Sequence, residues 1–149
     1  MADILHRVSI AAAPSEVHEL IATPEGLERW WTGRAVEGET AVGGRLSLFF
    51  GQRERPAAVM EVLGDTPEEI AWRCVDGPED WRETRITFSL KPSPDGGTTL
   101  LFEHSGWREG NEFMAGCSTN WGAYLTSLKS GAEGDGFGAY PAGEVSRWS

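Results

Sequence analysis

Cysteine is scarce in this chain of 149 residues: Cys74 and Cys117 are the only two, and they form no CxxC pair. That spacing argues against a redox motif or a zinc ribbon, and two buried, reduced thiols are expected. Positive charge is scarce too. Thirteen Lys and Arg against 23 Asp and Glu leave a net charge of −10, which disfavours nucleic acid and anionic membrane surfaces as partners. No stretch approaches the roughly 18 apolar residues of a membrane span, so no membrane insertion is expected. No secretory leader is read ahead of Ala2-Asp3, and the expected compartment is the cytoplasm. His6, His18 and His104 lie far apart, without an HxH or HExxH pair, so neither a metal nor another cofactor is expected. A Walker loop and a Gly-x-Ser-x-Gly elbow are also missing. Gly134-x-Gly136-x-Gly138 precedes no strand–helix unit and is not a dinucleotide loop.

Hydrophobic content of 40% and charged content of 24% suit one globular domain. A domain of this size buries roughly 68–70% of its unfolded surface without a metal or disulfide. The order of elements is more telling. Ile4, His6, Val8 and Ile10 alternate as one face of a strand. Pro14-Ser15-Glu16 opens a short helix carrying Val17, Leu20 and Ile21. Thr23 is a good N-cap for a second, with Pro24 at its first position, running to about Trp30-Trp31. The period then changes to two. A strand is expected over 35–39, a turn at Val42-Gly43-Gly44, and an alternating strand through Leu46, Leu48 and Phe50. The strand with Met60 and Val62 is expected to end at Gly64-Asp65-Thr66-Pro67. Inward rows follow at Ile70, Trp72, Cys74, at Thr84, Ile86, Phe88, Leu90, and at Leu100, Phe102, His104. Short turn-rich links make these antiparallel hairpins. A last helix from about Gly110-Asn111 to Ser130-Gly131 places Phe113, Met114, Cys117, Trp121, Tyr124, Leu125 and Leu128 on one stripe.

A single aromatic-striped helix needs one large apolar partner, and a sheet curved around it can enclose a pocket. Trp72, Phe88, Phe102, Trp121 and Tyr124 are the expected lining of an apolar cavity, typically about 300–1,000 Å³ in binding proteins. Trp31, Leu48, Phe50, His104 and Cys117 complete the candidate ligand-binding set. His104 continues the inward parity of Phe102 and is the candidate acid–base group; the plainer alternative is an imidazole bonded to a backbone carbonyl. Glu61 and Glu103 have outward parity, which argues against paired-carboxylate catalysis. Trp107 and Trp148 are expected at a loop edge and in the tail. Residues 1–131 are read as the domain and 132–149 as a flexible Gly-rich tail.

Several segments are familiar together. Ile10-Ala11-Ala12-Ala13-Pro14 with Val17, Thr23-Pro24-Glu25 to Trp30-Trp31, and Val42-Gly43-Gly44-Arg45 come first. Ile70-Ala71-Trp72, Gly97-Thr98 through His104-Ser105-Gly106-Trp107, and Trp121 in the last helix follow in order. Over about residues 3 to 130 the chain resembles the activator of heat shock protein 90 ATPase homologue-like branch of the START/SRPBCC superfamily. The resemblance implies an α+β helix-grip fold, as in the birch-pollen allergen: a curved antiparallel sheet of six or seven strands around a long C-terminal helix, with two short helices after the first strand. Superfamily members include lipid carriers and polyketide cyclases, so the resemblance implies function weakly. The expected function is binding of a small hydrophobic or aromatic molecule between sheet and helix. The alternatives are a polyketide cyclase or aromatase using His104, and a protein-interaction or stress-response module. A homodimer is compatible with either.

Overall fold

In the computed structural model, residues 2–32, 36–49 and 54–137 are described. The strands are β1 (Ala2–Ile10), β2 (Val36–Gly38), β3 (Arg45–Leu48), β4 (Ala58–Thr66), β5 (Glu69–Asp76), β6 (Arg85–Pro92) and β7 (Thr98–Trp107). The helices are α1 (Pro14–Ala22), α2 (Pro24–Leu27) and α3 (Glu112–Ala132), with a π-helical turn over Glu28–Thr32 and a 3-10 turn over Glu79–Trp81. All seven strands form one antiparallel sheet in the order β1-β7-β6-β5-β4-β3-β2. It curves around α3, as the alternation implies.

Strand parity builds the inner face. Trp72 pairs with Ile86, Ile70 with Phe88, Phe88 with Phe102 and Ile86 with His104, so the three inward rows lie side by side across the sheet. The opposing stripe of α3 buries Cys117, Trp121, Tyr124, Leu125 and Leu128, while Phe113 and Met114 are only half-buried at its first turn. Asn111 is the cap rather than part of this helix, its side-chain oxygen accepting the Met114 N–H at 2.9 Å.

Between the first two strands, α1 buries Val17 and Ile21, and Thr23 Oγ1 accepts the Gly26 N–H at 3.0 Å to start α2. α2 lies so close on α1 that a Cβ at Gly26 would sit 2.4 Å from the Leu20 carbonyl oxygen. Only glycine permits that approach. The π-helical turn then buries Trp30, Trp31 and Thr32 together.

Three boundaries differ from the sequence reading. β4 continues through Gly64 and Asp65 to Thr66, because a register shift between Val62 and Gly64 absorbs the irregularity. Trp107 is no loop edge: it closes β7 and is 1% exposed. The packed chain also runs past residue 131. Glu133 accepts the Ala11 N–H at 2.7 Å and a Lys129 Nζ bond at 2.6 Å, while Lys129 also reaches the Ser9 carbonyl at 2.7 Å. Ser127 Oγ donates to the Phe137 carbonyl, and the Phe137 ring covers Gly131, where a Cβ would meet it at 2.1 Å. Truncation after Gly131 is therefore expected to lower the melting temperature by roughly 4–8 °C, as a loss of about 2 kcal/mol does at this size. Calorimetry checks it; a midpoint within a degree of the full chain would assign these contacts no stabilising role. Residues 33–35, Phe50 and 138–149, with the expectations placed on them, lie outside the described residues.

Candidate functional site

The sheet and α3 meet through rings. Trp31 and Trp72 stack with centroids 5.7 Å apart and planes 4° from parallel, and Trp31 lies 5.0 Å from Trp121. Trp121 is 4.5 Å from Phe102, which is 5.3 Å from Phe88. Tyr124 meets Trp121 edge-on at 6.5 Å. These are contact separations for aromatic pairs, with no slot for another ring between them. The expected open cavity at Trp72, Phe88, Phe102, Trp121 and Tyr124 is thus filled by the side chains expected to line it. Strand and helix parity put them on facing surfaces; how far those surfaces close is a matter of ring size and orientation.

Candidate residues Trp31, Leu48, Trp72, Phe88, Phe102, His104, Cys117, Trp121 and Tyr124 are all buried. Ring contacts join all of them except Leu48 and Cys117 into one cluster with Trp30, Trp81 and Trp107. The last three were not among the expected lining residues. Trp81 sits in a loop without hydrophobic period, and no local pattern marks it as core.

His104 is 0% exposed and both its nitrogens are committed. Trp121 Nε1 donates to Nδ1 at 3.2 Å, so the proton is on Nε2, which faces Thr84 Oγ1 at 2.8 Å. Thr84 in turn donates to the Trp81 carbonyl. One proton direction therefore runs Trp121, His104, Thr84, Trp81. Glu83, in the left-handed region at φ 68, turns the chain into this position. Burial pushes the imidazole down to about 3, which keeps it neutral. Its partners differ from the single carbonyl of the plainer sequence reading. Neither cysteine is activated: burial raises Cys74 to about 12 and Cys117 to about 11. Glu103 is exposed, and Glu61 points to the sheet's outer side, where Arg73 Nη2 meets it at 2.9 Å. Among the described residues no group of three or more His, Cys, Asp or Glu is arranged to hold a metal, and no helix is long and apolar enough to cross a membrane.

Trp81 closes one end of the cluster. Its ring stands edge-on to His104 at 5.0 Å and stacks on Trp121 at 6.2 Å. Beside it, Trp107 lies 5.0 Å from His104 and 6.1 Å from Phe113. The Trp107 indole N–H is buried with no hydrogen-bond partner among the described residues. Over the 3-10 turn that carries Trp81 is an open recess of about 450 Å³, walled by Pro56, Pro78, Glu79, Asp80 and Phe113.

A curved antiparallel sheet gripping one long C-terminal helix across an aromatic core defines a helix-grip domain. The chain belongs to the Activator of Hsp90 ATPase homolog 1-like family, whose model matches residues 11–133. Among solved structures, the Aha1 dimer from Colwellia psychrerythraea is 32% identical with a TM-score of 0.79, over 91% of this chain and 98% of that one. CalU16 from Micromonospora echinospora is 23% identical with a TM-score of 0.75, over 99% of this chain and 76% of that one. Protein MLL2253 from Mesorhizobium loti is 22% identical with a TM-score of 0.72, covering 87% and 95%. The last two likenesses bear on fold alone. No curated protein matches the chain.

Proposed function

We propose that this domain binds a small apolar or aromatic molecule carrying one hydrogen-bond acceptor, which enters between sheet and α3 when Trp81 swings out. The observation that carries this reading is the unpartnered Trp107 N–H. A buried donor without an acceptor costs about 1–3 kcal/mol, and such groups call for an explanation. A ligand carbonyl, ether or hydroxyl would supply the acceptor. Trp81 is the adjoining ring borne by a three-residue turn in a loop, so moving it disturbs no strand pairing, and the recess above it gives access. The reading takes its prior from the helix-grip fold and needs no proton transfer. The cyclase alternative loses support because His104 has both nitrogens occupied within the core.

The neutral naphthyl ketone PRODAN tests it by fluorescence titration. Saturable, blue-shifted emission is expected with the wild type, at one probe per chain. Trp81→Ala should tighten binding about tenfold by removing the cost of opening, and Trp107→Phe should weaken it by a similar factor through loss of the donor. No saturable emission from either the wild type or Trp81→Ala would end the reading.

A second reading concerns assembly. The Colwellia relative was solved as a dimer at 32% identity over nearly the whole chain, and this supports self-association here.

A further inference from the structure

The outer side of the sheet carries a feature that the aromatic core does not explain. Leu5 is 67% exposed, although it belongs to a strand. In the β1–β7 register it stands opposite Glu103, and two residues along Arg7 stands opposite Leu101. The four side chains therefore make a checkerboard, with leucines on one diagonal and opposite charges on the other. Thr87 and Ser89 flank it from β6, and the whole patch forms a shallow recess of about 410 Å³. Among the described residues neither Arg7 nor Glu103 makes an ion pair.

We propose that this checkerboard is where a second copy of the chain docks, face to face, about a twofold axis along the Leu5–Leu101 diagonal. The proposal rests on the self-association reading and names its surface. A twofold interface must be self-complementary. Rotation about that diagonal sets Leu5 on the partner's Leu5 and Leu101 on the partner's Leu101. It also carries Arg7 across to the partner's Glu103, twice per dimer. An axis along the strands or across them would instead set each leucine against a charge. The strands of the two copies cross steeply, as in orthogonal sheet packing. Thr87 and Ser89 are short enough for the sheets to approach, and the leucines lose their exposure to water.

Sedimentation velocity over a concentration series tests it with the full chain. The wild type is expected to dimerise. Arg7→Glu should weaken the dimer at least about tenfold, because each lost attraction becomes a repulsion. Arg7→Glu combined with Glu103→Arg should restore it to within about threefold, since the swapped charges face each other again. Leu5→Asp should leave monomer, whereas Val42→Asp, at the exposed turn leading into β3, should change nothing. All these positions are exposed, and circular dichroism checks that each variant folds. A wild type that stays monomeric at every concentration overturns self-association and this face with it. A wild-type dimer that persists in Arg7→Glu and Leu5→Asp overturns the face alone.

Discussion

Trp121→Ala is expected to cost about 5 kcal/mol, the upper end of the range for truncating a buried aromatic. Typical domain stability is about 5–15 kcal/mol, so the variant should be close to unfolding at room temperature. The large effect has two sources. Trp121 touches Trp31, Trp81, Phe102 and Tyr124, so no single neighbour can collapse into the space it leaves. Its N–H also fills His104 Nδ1, which would be left buried and unpaired. Trp121→Phe separates the two: it keeps a ring and loses the donor, and should cost about 1–3 kcal/mol. Urea unfolding measures both. A loss below about 1 kcal/mol for the alanine variant would place this ring outside the stabilising core.

Acid should weaken the fold through His104. Its folded value of about 3 lies below the ordinary 6.5, so the unfolded chain takes up the proton first. The contribution is fully present above pH 6.5 and is lost as pH falls from there towards 3, at about 1.4 kcal/mol per pH unit. Between pH 6 and pH 4 this one group removes roughly 3 kcal/mol. His6 shifts in the same direction because of burial, opposed by a hydrogen bond that its ring donates to the Ser118 backbone. His104→Gln does not titrate there, and its stability should fall less steeply over that interval by the slope of one group. Equal slopes for wild type and variant in urea titrations would show that the ring is not held neutral in the folded state.

Much of this architecture is legible in the residues. Alternation from Ile70 to His104 fixes which side chains face α3, and Thr23-Pro24 marks the second helix start because the capping chemistry is local. The helix-grip fold and the family follow from the order of such signals. What alternation cannot carry is distance. Thr84, His104 and Trp121 form one hydrogen-bond chain from the turn before β6 through β7 to α3; alternation gives Thr84 its inward parity, but not its bond to His104. Trp81 lies in an aperiodic acidic loop, so its packing over His104 has no sequence signature. Trp107 follows Gly106, which reads as a strand end although the strand continues one residue further. Parity puts the aromatics of sheet and helix on facing surfaces, where an open cavity is expected; the direct ring contacts that close the space between them depend on side-chain rotations.

The edge position of β1 bears on how the protein comes off the ribosome. This strand precedes the other six, yet among the described residues its strand partner is β7, which begins at Thr98. The hairpins from β3 to β7 close between near neighbours in sequence and can form early, since short loops close at low entropic cost. The opening strand must wait for about two-thirds of the chain, its backbone groups unpaired and open to neighbouring nascent chains. Fast translation or a truncated transcript would strand it there, and loss of β7 alone would leave β1 without its partner and turn β6 into a bare edge.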